Sequence, residues 1–115
     1  MEQAFFFDGK PQQAALYERL LAQMRGSLGA FEADVQKTQI TFRAPRVFGC
    51  VSVKGKGGIV VTFGLPSRVA SPRIWQACEP YPNRWTHHVR IQSAAEINEE
   101  LIGWLQAAYA FATRK

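Results

Sequence analysis

Negative charge is scarce in the middle of this 115-residue chain. Residues 37–90 hold one acid, Glu79, against nine basic residues, a net of +8, while residues 1–36 carry −2 and residues 91–115 carry −1. That distribution excludes an acidic, cation-collecting surface in the middle segment and points to an anionic partner. Close pairs of acids for acid–base work are missing too, since Asp34, Glu79 and Glu96 are scattered. No apolar run approaches the length of a membrane span, so no membrane partner is expected. The first residues, MEQAFFFDGK, include acidic Glu2 and no positively charged stretch before the phenylalanines. They do not read as a secretory signal, and the cytoplasm is the expected location.

Cysteine is also sparse. Cys50 and Cys78 lack a disulfide framework and read as reduced, buried thiols. Neither C-x-x-C nor H-x-x-x-H spacing occurs, so zinc has no evident ligand set. Lys54-Gly55-Lys56-Gly57-Gly58 is glycine-rich but lacks the G-x-x-x-x-G-K-[ST] frame and joins two strand patterns instead of leading into a helix. It reads as a solvated hairpin loop. No motif calls for a cofactor.

What is present suits an ordinary globular fold. Hydrophobic residues at 47% and charged residues at 20% supply a core and argue against wholesale disorder. The length predicts one α+β domain over residues 1–115. Phe5-Phe6-Phe7 precede Asp8-Gly9, which can cap a helix, with Pro11 in its first turn. From Pro11 to about Ser27, Leu16, Tyr17, Leu20, Leu21, Met24 and Leu28 recur at spacings of three and four, the stripe of a helix lying on a sheet.

Strand patterns follow. In Lys37–Arg43, Thr38, Ile40 and Phe42 alternate with Lys37, Gln39, Thr41 and Arg43, giving an apolar and a basic face. Ala44-Pro45 ends that ladder. Val47–Lys54 forms the next strand, with Val47, Gly49, Val51 and Val53 opposite Phe48, Cys50 and Ser52, and Gly49 suggests a bulge or a close backbone approach. Ile59–Leu65 is β-branched and apolar, as a central strand would be. Pro66–Arg84 reads as a long connection with four prolines, in which Ser71–Ala77 could form a short helix. The last strand, Trp85–Ile91, sets Trp85, His87, Val89 and Ile91 against Thr86, His88 and Arg90. Ser93-Ala94-Ala95-Glu96 is a capping box before a final amphipathic helix carrying Ile97, Leu101, Trp104, Leu105, Ala108 and Ala112 on one face. Short connections imply an antiparallel meander, so the expected fold is an α+β two-layer sandwich: a four-stranded or five-stranded antiparallel sheet with the N- and C-terminal helices on one face.

The candidate site is the basic face and long connection. Lys37, Arg43, Arg46, Arg73 and Arg84 would supply charge, Trp85 a stacking surface and His87 a hydrogen bond, with Trp75 and Tyr81 interleaved. The reading is a non-enzymatic binding module for nucleic acid or a phosphorylated small molecule. Two alternatives accompany it. One is an enzyme or enzyme subunit acting on a phosphorylated or carboxylated substrate, with His87 or His88 as acid–base group. The other is a structural, self-associating domain, such as a homodimer, built through Phe5–Phe7 and the sheet edge.

Lys37-Thr38-Gln39-Ile40, the Phe48–Val53 strand, Ser71-Pro72-Arg73, Arg84-Trp85-Thr86-His87-His88-Val89 and the Ser93–Tyr109 helix together resemble a bacterial domain-of-unknown-function group, DUF family 5655, over roughly Phe6 to Phe111. The resemblance implies a small intracellular α+β domain. The chain is also distantly similar to frataxin-like YdhG domains, sometimes labelled iron chaperones. Iron delivery of that kind implies an acidic metal-binding surface, whereas this chain is basic in the corresponding region.

Overall fold

The computed structural model describes residues 6–53 and 58–113. Phe5, the Lys54–Gly57 part of the expected hairpin loop and Arg114-Lys115 lie outside the described residues. Helix α1 spans Pro11–Ser27, within the expected bounds, and buries Leu16, Tyr17, Leu20 and Met24. Its N-cap is Lys10, not Asp8 or Gly9, and no side chain caps it. Gly9 instead takes a positive φ of 72° in the preceding turn, where glycine is least strained.

Six strands follow: β1 Glu32–Val35, β2 Ile40–Arg43, β3 Val47–Val53, β4 Ile59–Leu65, β5 Ile74–Tyr81 and β6 Arg84–Ile91. A 3₁₀ turn at Ala94–Glu96 precedes helix α2, Glu99–Thr113. The architecture is α+β, with an antiparallel sheet and two helices. The sheet has six strands, not four or five, in the order β1-β2-β3-β4-β6-β5.

The extra strands are the two edges. Glu32-Ala33-Asp34-Val35 is too short and too polar to declare itself by periodicity, and pairing with Ile40–Arg43 makes it a strand. Ile74–Tyr81 replaces the expected short helix. Pro72-Arg73 forms only a turn, with the Ile74 amide bonded to the Ser71 carbonyl at 3.0 Å, and the chain then extends along β6. The β5–β6 connection is Pro82-Asn83, with Asn83 at φ 64°. Proline followed by a left-handed asparagine is a turn signature. The capping box holds, with Glu96 Oε1 accepting from the Gln92 and Ser93 amides at 2.9 and 3.0 Å. It caps the 3₁₀ turn, however, and α2 starts later, where Asn98 Oδ1 accepts from the Leu101 amide at 3.2 Å.

One face of the sheet is covered and one is open. Ile59, Val61 and Phe63 of β4 stand beside Ile91, Val89 and His87 of β6 and beside Val53, Val51 and Gly49 of β3. The apolar members of this face pack with Leu20, Met24, Leu101 and Leu105 of the helices in one core cluster. In β3 the alternation breaks, because Phe42 pairs with Gly49 while Arg43 pairs with Val47. The extra residue is Phe48, which the bulge turns into the core, 1% exposed, leaving Val47 outside at 45%. Gly49 also serves a close approach: a Cβ there would meet the Thr62 carbonyl at 2.7 Å.

The strand order carries one consequence for the site. β4 and β5 both run antiparallel to β6, which lies between them, so the chain from Leu65 to Ile74 must return along the length of β6. It does so on the helix side, as a crossover loop over His87.

Candidate anion-binding face and crossover loop

The seven residues expected to form the site do not converge on one cleft. Lys37 and Arg46 lie exposed in the β1–β2 and β2–β3 turns. Arg43, at the end of β2, is ion-paired with Glu32 at 2.6 Å and Asp34 at 3.0 Å, and the two carboxylates hold its guanidinium pKa above the ordinary range. Two strands separate this group from the others. Arg73 faces α2: its Nη1 donates to Asn98 Oδ1 and Glu100 Oε1, both at 2.9 Å, and its Nη2 to the Glu96 carbonyl at 2.6 Å. Its guanidinium also sits 5.6 Å from the Trp104 ring centroid. Arg84 lies against Gly64 on β4, where a Cβ would come within 2.9 Å of its Nη2.

Trp85 and His87 point to the covered side. Trp85 stands beside Leu65, and the Arg68 guanidinium lies 6.0 Å from its ring centroid. His87 is fully buried and stacks on Phe63 with centroids 5.1 Å apart. Its Nε2 accepts from the Val69 amide at 3.0 Å, while Nδ1 has no hydrogen-bond partner. Burial pushes the His87 pKa below its ordinary value. The neighbouring His88 and Arg68 add to that, and the backbone of Phe63 and Trp85 acts in the opposite sense.

The open face presents a different set. Across it runs a rung of paired residues, Asp34, Thr41, Cys50, Thr62, His88 and Gln76, one from each strand. Thr62 Oγ1 lies 2.9 Å from His88 Nδ1. Cys50 is half-buried and burial raises its thiol pKa, partly offset by a hydrogen bond with Thr62. Cys78 is exposed, which corrects the expectation of two buried thiols; both cysteines are free. At the β5 edge a register shift between Ile74 and Gln76 brings Trp75 beside the open-face residues of β6. Trp75 is 44% exposed, with its ring 5.8 Å from the His88 ring and 5.4 Å from the Arg90 guanidinium.

Two recesses flank Trp75. One, of about 270 Å³, is lined by Pro72, Arg73, Trp75, Arg90 and Glu96. The other, of about 190 Å³, lies between crossover-loop residues Arg68–Ser71 and β5 residues Ile74–Ala77. The alternation in β6 already set Arg90 and His88 on one face. Trp75 stands beside them because its segment extends along β6 instead of forming the expected short helix over Ser71–Ala77. Among the described residues no group of three or more His, Cys, Asp or Glu side chains could hold a metal ion, and no helix is long and apolar enough to cross a membrane.

Fold and surface define a small α+β domain with a helix-backed antiparallel sheet and an arginine–tryptophan rim at one edge. The chain belongs to the family described as Domain of unknown function (DUF5655), whose model matches residues 3–112. No curated protein and no solved structure matches it.

Proposed function

We propose that this domain is a binding module for a phosphorylated ligand carrying a flat ring, a nucleotide unit either free or within single-stranded nucleic acid, held at the Trp75 rim. One observation carries the reading: the exposed Trp75 ring, with the Arg90 guanidinium 5.4 Å from its centroid, lines a recess together with Arg73 and Glu96. An exposed aromatic on a sheet edge offers a stacking surface to any base, and arginine offers a planar donor fork to phosphate. Arg68 and Arg90, which line the recesses beside Trp75, favour anion approach there.

The test is a calorimetric titration with AMP and, separately, with a thymidine oligonucleotide, repeated at rising salt. Trp75→Ala and Arg90→Ala should each weaken binding by about tenfold or more. Steep salt dependence for the oligonucleotide with no AMP binding selects nucleic acid. AMP binding with a shallow salt response selects the small ligand. Absence of both overturns the proposal. An enzymatic reading draws on the 2.9 Å contact between Thr62 Oγ1 and His88 Nδ1, which pairs a hydroxyl with a base on the open face. It would show as turnover of the bound phosphate ester that His88→Gln abolishes.

A further inference from the structure

We infer that His87 is a positioning residue for the crossover loop, which it latches over the covered face of β6 only while its ring is neutral, so that acidification frees the loop and the recess it walls. The inference rests on the Trp75 rim being the binding site for its functional meaning, but the latch itself stands on separate geometry.

Val69 is a backbone N–H donor, so Nε2 of His87 must present a lone pair, and the proton of the neutral ring must sit on Nδ1. Protonation would place an N–H at Nε2 against the N–H of Val69, turning the contact from attraction to repulsion. The backbone of Phe63 and Trp85 favours the charged ring, but burial outweighs it. Nδ1 is buried and has no hydrogen-bond partner. From β4 the ring meets Phe63, itself stacked on Trp104 of α2, and its cross-strand neighbour in β5 is Ala77. The charged or titratable groups that act on it are Arg68 from the loop and His88 next in β6, both of which oppose a second positive charge. Arg73 lies over Trp104 and adds no acid to that side.

The closed loop therefore excludes the proton that an exposed imidazole would bind. Below 6.5, the ordinary histidine value, falling pH shifts the equilibrium toward the open form, in which the ring regains solvent. Val69 lies within the loop that bounds the smaller recess beside Trp75 together with Arg68, Ala70 and Ser71. Its release would unmake that wall.

The experiment follows the Val69 amide by hydrogen exchange in the full chain, without ligand, from about pH 7.5 to about pH 5. Corrected for intrinsic exchange, Val69 protection should fall as pH drops below 6.5, by up to about tenfold per pH unit. In His87→Gln, whose side-chain oxygen can accept the same bond without titrating, protection should hold across the range. In His87→Leu it should be low throughout, and if that variant does not fold, His87→Gln still decides. Flat protection in the wild type, or the same acid loss in His87→Gln, overturns the latch. A parallel AMP titration reads the functional consequence. AMP itself changes charge in this range, so the quantity compared is the loss in wild type beyond that in His87→Gln. Equal losses overturn the coupling to the recess. No AMP binding at any pH overturns the site reading instead, and the ligand-free exchange data still judge the latch.

Discussion

Arg73 Nη1 donates to Asn98 Oδ1 at 2.9 Å, and through that bond the turn that launches β5 is fastened to the residue that caps α2. The same guanidinium reaches Glu100 and the Glu96 carbonyl, so one side chain spans the 3₁₀ turn and the first turn of the helix. A residue expected to meet a ligand is thus already committed to the fold. Arg73→Ala should lower stability by about 1.5–3 kcal/mol, the range for hydrogen bonds to charged groups, with Arg73→Lys recovering part of it. Urea unfolding measures this. An unchanged midpoint would show that the clamp contributes nothing.

The bulge in β3 makes an opposed pair of neighbours. Phe48 is buried against Phe31, Phe42 and Tyr109, while Val47 is exposed. Phe48→Ala should cost about 3–5 kcal/mol, and Val47→Ala should change stability by no more than about 0.5 kcal/mol. Thermal or urea melts of the two variants test the local register, and the reverse order of effects would contradict the bulge.

Overall stability should depend on pH through His87. Its pKa is lowered in the folded chain from an ordinary value of 6.5, so the unfolded chain takes up the proton first. Stability is complete above 6.5 and declines as pH falls from there toward the depressed folded value. His87→Gln should remove this contribution. Denaturant midpoints collected across the range would show it as a flattening of the acid side of the curve relative to wild type.

The thiols should separate by exposure. Cys78 is exposed, whereas Cys50 is half-buried with its pKa raised by burial. Iodoacetamide should modify Cys78 in the native protein and reach Cys50 mainly after denaturation, because the thiolate is the nucleophile. Peptide mass spectrometry reads the order, and equal labelling rates would argue against the enclosed position of Cys50.

Sequence pattern by itself determined both helices, the four inner strands and the layering of helices on one sheet face. Local pattern suffices there because Leu16, Leu20 and Met24, or Ile59, Val61 and Phe63, each satisfy one period and one buried face. The charge count also located the basic middle of the chain. Tertiary structure alone decided the edges and the strand order. Ile74–Tyr81 begins with helix-compatible residues, contains Pro80 and is flanked by Pro72 and Pro82, and it extends because β6 offers it a ladder. Placing β6 between β4 and β5 then forces the crossover loop, which buries His87 beneath Val69 and removes it from any solvent-facing site. Alternation along β6 separates His87 from His88, but which face the loop crosses is set by pairing across the sheet. The basic residues divide for the same reason: Arg43 acquires its two acids from β1 and Arg73 its partners from the start of α2, contacts made between segments that are distant in the chain or joined only by the fold.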